Sequence, residues 1–382
     1  MPLFEDSEEH KEFRRVFRKF VAREVTPHCE EWEKDGIVPR EFWRKMGKQG
    51  FLCPWLPEEY GGLGLDFKYS LIINEELVRG GAFSTGITLH SDVATPYLYS
   101  YGTEELKRRL LPKTLTGEVV CALGMTEPNA GSDLAAIRTK AVRDGDYYVI
   151  NGQKTFISNG VSADIIITAC KVDSADGSRG ISLIAVEANN PGLHRGRKLD
   201  KMGRRMQDTA ELFYEDCRVP AGNILGEEGK GFKYMMAKLV PERLEVCTKC
   251  ITLAEECLRE GLKYAKEREA FGQVIGDFQH NAFKLAEMAT EVEIGRTFFN
   301  TLVEEFVRGE DITMKVSMAK AWLGEMVNRV AYHALQLHGA YGYVEEYPIC
   351  RMYRDARGLS ILAGTTEIMK VIIARKLGLK GM

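Results

Sequence analysis

The chain has 382 residues, of which 45% are hydrophobic and 28% charged, with 37 Gly and 12 Pro. That balance excludes a disordered, collagen-like or low-complexity protein, and the length predicts two or three packed domains. Lys and Arg number 52 against 55 Asp and Glu, a formal net charge of −3, so bulk electrostatics indicate no nucleic-acid partner. Apolar runs such as Ile165-Ile166-Ile167 fall far short of the ~20 residues of a membrane span, so no membrane segment is expected. The N-terminal stretch mixes acids and bases around no apolar core. It reads as an untargeted cytoplasmic start, or as a mature form without its leader.

Residues 1–120 read as helices with short breaks: one over 7–34, and further helix formers through 40–50, 70–80 and 103–116, with a Gly/Pro-rich loop at 54–64. Residues 121–218 switch to strand character. Residues 147–150 run into Asn151-Gly152 and on through 153–157, which predicts a hairpin turning at Asn-Gly. Further strands are expected at 164–171, 180–188 and 209–215, with no long helix between them, so an antiparallel barrel or sandwich is favoured over a parallel sheet. The basic run 194–205, with six Lys/Arg and one Asp, reads as a solvated loop between two strands. From 231 onward the pattern is helical again, with Pro241 suited to a first turn, a stripe reaching about 267, and helices at 277–308, 312–339 and 365–377.

Nine cysteines, an odd number in a chain this long, argue against a disulfide framework. Cys247 and Cys250 have CxxC spacing, but no second pair or nearby His completes a zinc site, and no metal is expected. Both fall on a helical apolar stripe with Ile251, Ala254, Leu258, Leu262 and Ala265, which predicts core packing. The chain has no GxGxxG after a strand, no Walker loop, no HExxH and no GxSxG. Any nucleotide cofactor must therefore be held in another way. The stretch 121–133, CALGMTEPNAGSD, places two short hydroxyls, Thr126 and Ser132, around a Pro-Asn-Ala-Gly turn. It reads either as a loop that approaches a ring edge and a pyrophosphate, or as a plain turn into a Ser-Asp helix cap.

GMTEPNAGSD resembles the flavin-binding signature of the acyl-CoA dehydrogenase family. The segments NGQKTFISNG (151–160), REAFGQ (268–273), QLHGAYGY (336–343) and AGTTEI (363–368) follow in that family's order and spacing, so the resemblance covers the whole chain. Within the family the sequence is most similar to the long-chain and isovaleryl branches, and to bacterial enzymes of branched or alicyclic acyl-CoA thioesters. The resemblance implies an α+β fold with an N-terminal all-α domain (1–120), a middle antiparallel β-barrel domain (121–227) and a C-terminal four-helix bundle (228–382). It implies FAD as cofactor, a homotetramer, and electron-transfer flavoprotein as the electron acceptor. Met125, Thr126 and Ser132 would line the flavin and the pantetheine or pyrophosphate region. Phe156 and Ser158 would cover the flavin ring, with Phe where many relatives have Trp. Arg268 and Phe271 would reach the FAD of a neighbouring subunit, as would Gln336 and Gly339. Gln279, Thr365 and Glu367 would add further FAD contacts.

Many family members carry the base for the α-proton as Glu in a Glu-Gly-Thr triplet. This chain has Ala363-Gly364-Thr365 there, so that carboxylate is absent. The long-chain and isovaleryl branches place the Glu instead at the start of an earlier helix, before Arg-Leu, and Glu242-Arg243-Leu244 stands at that position. The resemblance thus makes Glu242 the base, against a simpler reading as a first-turn acid favoured by the helix dipole. Arg243, Ala363, Gly364 and Ser132 would contact the substrate, with the Ala363 N–H still able to polarise the thioester carbonyl. Asp92 stands where relatives usually keep an uncharged residue. It either caps the short segment before Pro96 or turns a carboxylate toward the acyl group. The function implied is α,β-dehydrogenation of an acyl-CoA, with Glu242 taking the α-proton and flavin N5 the β-hydride. The alternatives are dehydrogenation of a cyclohexane- or cyclohexene-carboxyl thioester with Asp92 as an additional base, and an enoyl-CoA reductase or an oxidase on the same scaffold.

Overall fold

The computed structural model describes residue 4, residues 6–173 and residues 179–380. Ser7 begins the first helix with a capping box, its hydroxyl accepting from His10 N while the His10 ring accepts from Ser7 N. Helix α1 (Glu8–Glu24) gives way to a 3-10 turn, Thr26–His28, before α2 (Cys29–Asp35). A single helix over 7–34 is therefore corrected: Pro27 has no N–H for the helical ladder and divides it. Helices α3 (Arg40–Lys48), α4 (Phe67–Arg79), α5 (Thr95–Tyr101) and α6 (Glu104–Thr116) follow. The π-helical turn Leu89–Ala94 that leads into α5 was not legible in the sequence.

Strand β1 (Cys121–Gly124) starts a sheet completed by β2 (Lys140–Asp144), β3 (Tyr147–Ser158), β4 (Ile165–Asp173), β5 (Arg179–Glu187), β6 (Leu193–Lys198), β7 (Thr209–Pro220) and β8 (Ile224–Leu225). The hydrogen-bonded path runs β6-β7-β3-β2-β4-β5-β8, antiparallel apart from β2 on β4 and β1 on β4. Inward residues from β1 to β7 share one core, and Thr168 Oγ1 meets Tyr214 OH at 2.9 Å across it, between strands that are not hydrogen-bonded neighbours. The hairpin expected at Asn151-Gly152 is not there. Those residues lie inside β3, at a register shift against β7, with the Asn151 carboxamide bonded to Asp216 N and Oδ1. The turn falls instead between Asp144 and Tyr147, where Gly145 takes φ +58°.

The basic run is a loop only in part: residues 194–198 lie in β6 and 199–205 lead on toward β7, and it is not merely solvated. Arg195 donates to the carbonyls of Gly160 and Ala163, Lys201 to Gln207 O, and Arg205 to Lys201 O. Helices α7 (Gly231–Glu267), α8 (Gln279–Val307) and α9 (Thr313–His338) form the C-terminal bundle with α10 (Pro348–Gly358) and α11 (Thr366–Lys376). The CxxC pair, Cys247 and Cys250, lies in the bundle core as the apolar stripe required. The order of elements is helical, then β, then helical, as the resemblance implied. Among the described residues no helix is long and apolar enough to cross a membrane.

One contact ties the helical and β parts together, and another holds the first helix against α4. His90, fully buried, accepts from Cys121 N at 2.9 Å through Nδ1 and lies 3.1 Å from Thr114 O through Nε2, so its proton sits on Nε2 and the π-helical turn is fixed to β1. Burial depresses its pKa to about 4, so the ring stays neutral. Arg14 on α1 is buried against α4, its Nη1 at 2.6 Å from Glu75 and 3.0 Å from Glu76, with Nε at 2.8 Å from Asp6. Arg14→Met would take the salt-bridge partner from Asp6 and one of two cations from each of Glu75 and Glu76, which keep Arg79 and Arg18. It is expected to cost about 1–3 kcal/mol, read as a lower melting temperature of the flavin-loaded protein. An unchanged melt would show that α1 does not hold α4.

Candidate active site

Helix α7 is 37 residues long, and Pro241 lies inside it rather than in its first turn. The dipole reading of Glu242 falls with that correction, because the residue sits beyond the reach of the free N-terminal amides. Glu242 is half-buried, its Oε2 has no hydrogen-bond partner among the described residues, and burial raises its carboxyl to about 7 against the opposing charges of Arg243, Lys249 and Lys320. The Tyr97 hydroxyl is buried, likewise unpartnered among the described residues, and pushed up by burial and by Glu242. Arg243 is buried with its Nε unpartnered among the same residues, and desolvation lowers its pKa although Glu242 opposes the shift.

The triplet Ala363-Gly364-Thr365 forms a turn between α10 and α11 with two successive left-handed residues, Ala363 at φ +54° and Gly364 at φ +93°. An alanine there is held against its own preference, a feature that clusters at functional sites. The hydrogen bonds that close the turn run from Leu362 N to Gly358 O and from Thr366 N to Ser360 O, each 3.1 Å, and leave the Ala363 N–H outside both. Thr365 caps α11, its Oγ1 accepting from Ile368 N at 3.3 Å, and Glu367 is exposed in the first turn. Lys320 on α9 donates to Gly364 O. Lys320 also bears on Glu242, so the absent Glu at 363 and the present one at 242 flank one lysine.

Asp92 does not cap α5, which has no side-chain cap. It lies within the π-helical turn, buried, and accepts from Ser70 Oγ at 2.6 Å; burial raises its carboxyl to about 7. Around it gather Glu245, bonded to Asn74, and Lys249, whose Nζ donates to Thr88 Oγ1 at 2.7 Å. Burial pushes Glu245 well up and Lys249 down to about 8. Glu242, Glu245 and Lys249 share one face of α7 at spacings of three and four residues.

The loop after β1 is pinned by a pair the sequence reading passed over. The Glu127 carboxylate accepts from Arg138 N at 2.5 Å and Thr139 N at 3.0 Å and meets Lys154 Nζ at 2.8 Å; Lys154 also donates to Met125 O at 3.1 Å. Thr155 N donates to Thr126 O at 3.0 Å, which joins the loop to β3. Asp133 does not cap the short 3-10 turn that follows, so the cap reading of this stretch fails, and Ser132 is exposed. Phe156 is 67% exposed at φ +58°, and Ser158 is half-buried beside it. An uncovered aromatic face in a strained backbone, next to a rigid polar loop, fits a flat ring system.

Arg268, Phe271, Gln279, Gln336 and Gly339 form a separate group. Arg268 ends α7 with its guanidinium 6.0 Å from the Tyr341 ring, Gln279 begins α8, and Gln336 and Gly339 stand at the end of α9. Phe271 occupies a two-residue turn with Gly272 and is 97% exposed at φ +52°. At 1.5 Å per residue, Glu242 and Arg268 are roughly 39 Å apart along α7. One chain does not bring these two groups together. Of the residues missed, Lys154, Lys249 and Lys320 carried a usable signal: a lysine on an otherwise apolar strand or helix face is rarely buried without a task.

Fold and site together define a flavoprotein oxidoreductase acting on CH–CH groups. Models of the acyl-CoA dehydrogenase N-terminal, middle and C-terminal domains match residues 7–118, 122–217 and 229–378. The chain is 43% identical over 373 residues to the long-chain specific acyl-CoA dehydrogenase of Sus scrofa mitochondria, covering 97% of this chain and 87% of that protein. It is 38% identical to a mitochondrial isovaleryl-CoA dehydrogenase of Oryza sativa, over 98% of this chain and 92% of that one. A crystal structure of an acyl-CoA dehydrogenase from Geobacillus kaustophilus superposes with a TM-score of 0.95 at 56% identity, covering 98% of this chain and 99% of that chain.

The chain belongs to the acyl-CoA dehydrogenase family, whose members are FAD-dependent flavoproteins. Lys154→Met would release Met125 O and leave Glu127 short of its cation. FAD affinity is expected to fall about 10-fold or more, measured by the flavin-to-protein absorbance ratio after dialysis. Full flavin retention would remove Lys154 from the account.

Proposed function

We propose that the enzyme α,β-dehydrogenates an acyl-CoA thioester with Glu242 as the base for the α-proton. The carrying observation is the Glu242 Oε2, buried without a hydrogen-bond partner among the described residues, on a carboxyl that burial brings to about 7. A base of that pKa is ionised near neutral pH and still gains from taking a proton. FAD supplies the acceptor for the β-hydride. The chain's own residues do the rest: Phe156, Ser158, Met125 and Thr126 hold and cover the ring, and Ser132 takes the pantetheine or pyrophosphate region. Arg243 and Gly364 border the thioester, and the Ala363 N–H polarises its carbonyl as negative charge develops. Losing the glutamate side chain at 363 leaves that backbone donor intact.

The distance between Glu242 and Arg268 supports a homotetramer in which Arg268, Phe271, Gln279, Gln336 and Gly339 complete the cofactor site of a neighbouring protomer, with Thr365 and Glu367 nearer their own chain's site. Exposed Phe283 and Ile294 on α8, and Trp322 and Tyr332 on α9, supply apolar surface for such contacts. Electrons pass to electron-transfer flavoprotein. Nine free cysteines, eight of them buried, accord with a reducing cytoplasm.

Asp92 supports a second reading, an alicyclic acyl group with Asp92 as an additional base. What favours it is the failure of the cap, together with a buried carboxyl that shares Lys249 with Glu242.

Glu242→Gln should keep FAD and acyl-CoA binding and slow flavin reduction at least ~10²-fold in stopped flow. In the parent, the reduction rate should fall as pH drops below about 7, because only the ionised carboxyl accepts a proton. Near-parental reduction in the variant would sink the assignment. Asp92→Asn should cut turnover of a cyclohexane- or cyclohexene-carboxyl thioester by ~10²-fold while sparing a straight-chain one. An equal response on both substrates would retire Asp92 as a second base.

A further inference from the structure

We infer that Lys320 is a positioning residue of this site: its ammonium fixes the Ala363-Gly364-Thr365 turn from the α9 side and faces the Glu242 carboxyl. The second half rests on the proposed role of Glu242; the first does not. Lys320 is fully buried on α9 and makes no salt bridge among the described residues, yet its Nζ donates to Gly364 O. Burying an ammonium for one backbone carbonyl is unfavourable, since a neutral donor would satisfy that oxygen without the desolvation of a charge.

The charge has a second object. The groups that bear on Lys320 are Glu242, Arg243, Cys247 and Cys250 from α7, and Glu367 from α11 feels it in turn. Of the two carboxylates, Glu367 is exposed, whereas Glu242 has a buried oxygen with no hydrogen-bond partner among the described residues. Glu242 in turn faces Arg243 and Lys249 on its own helix, Lys320 on α9 and Tyr97 on α5. The turn needs the help as well: Ala363 and Gly364 are both left-handed, and a bond to Gly364 O restrains the Gly364–Thr365 peptide that ends it. One side chain thereby steadies the turn that carries the Ala363 N–H and holds the base toward its anionic form. The amide lies in the turn before α11 and the carboxyl on α7, and Lys320 on α9 bears on both.

The test compares the FAD-loaded parent with Lys320→Met, close in length but without charge or donor, and with Lys320→Arg, which keeps both. Hydrogen exchange of the peptide spanning 359–368, measured by mass spectrometry without substrate, should speed at least ~10-fold in Lys320→Met through loss of the bond to Gly364 O. Loss of the cation should move the acid limb of flavin reduction up by about one pH unit, a ~10-fold slower reduction on that limb, with kcat falling more than KM rises. Lys320→Arg should recover most of both. Parental exchange together with a parental pH profile in Lys320→Met would overturn the inference. Should that variant be too unstable to isolate, Lys320→Gln is read instead: a raised acid limb supports the assignment, and an unmoved one overturns it. A Glu242→Gln variant that reduces flavin normally would remove the base and leave the exchange result standing. An inactive Glu242→Gln beside an indifferent Lys320→Met would remove Lys320 alone.

Discussion

Burial of the Glu242 carboxyl on α7 is the constraint the surrounding structure answers to. Its Oε2 finds no hydrogen bond among the described residues, and its pKa rises from an ordinary 4.5 to about 7. A carboxyl shifted in that direction favours the folded state fully at pH values below its unfolded pKa. The contribution is lost as pH rises through about 7, where the ionised group opposes folding by on the order of 3 kcal/mol. Arg243, Lys249 and Lys320 limit the shift without neutralising the group by direct contact. The structure therefore holds a carboxyl that is weakly solvated and ready to ionise near neutrality, the property the proposed base requires.

The length of α7 then determines how the molecule is used. The same helix that carries Glu242 ends in Arg268, next to a two-residue turn that displays Phe271 almost completely. Hydrophobic burial favours covering such a ring, and its left-handed backbone adds local strain. At the other side of the base, the β sheet contributes a rigid loop rather than a flexible one. Glu127 and Lys154 hold the Met125–Thr126 segment through two backbone amides and one carbonyl, and Phe156 is held at a register shift between β3 and β7. Glu242 and the Met125–Thr126 loop thus come from different layers of the fold, and the His90 contact between the π-helical turn and β1 ties those layers together.

Much of this was legible in the residues. Periodicity marked the helical–β–helical order, and the family resemblance, with no Glu at 363 and one at 242, made Glu242 the candidate base. What failed did so for identifiable reasons. Asn151-Gly152 has the composition of a tight turn, but Asn151 bonds across to Asp216 and the pair becomes a bulge inside β3. Pro241 looks like a helix start because its missing N–H is harmless there, yet the packing of α7 against α4, α8 and α9 carries the helix straight through it. Asp92 looked like a cap because local propensity cannot register a serine 22 positions earlier on α4. Lys154, Lys249 and Lys320 were passed over because a lysine in a sequence reads as surface, although the apolar residues flanking Lys249 and Lys320 pointed inward.

The most direct test of the account follows the α-proton itself, before any electron reaches an external acceptor. A saturated acyl-CoA bound to the FAD-loaded enzyme in deuterated buffer would be recovered under anaerobic conditions, and deuterium at its α-carbon measured by mass spectrometry. The parent should exchange the α-proton, fastest above about pH 7 where Glu242 is ionised. Glu242→Gln with its flavin retained should exchange at least ~10²-fold more slowly. Equal exchange in the two proteins would show that another group removes the proton and would contradict the central claim.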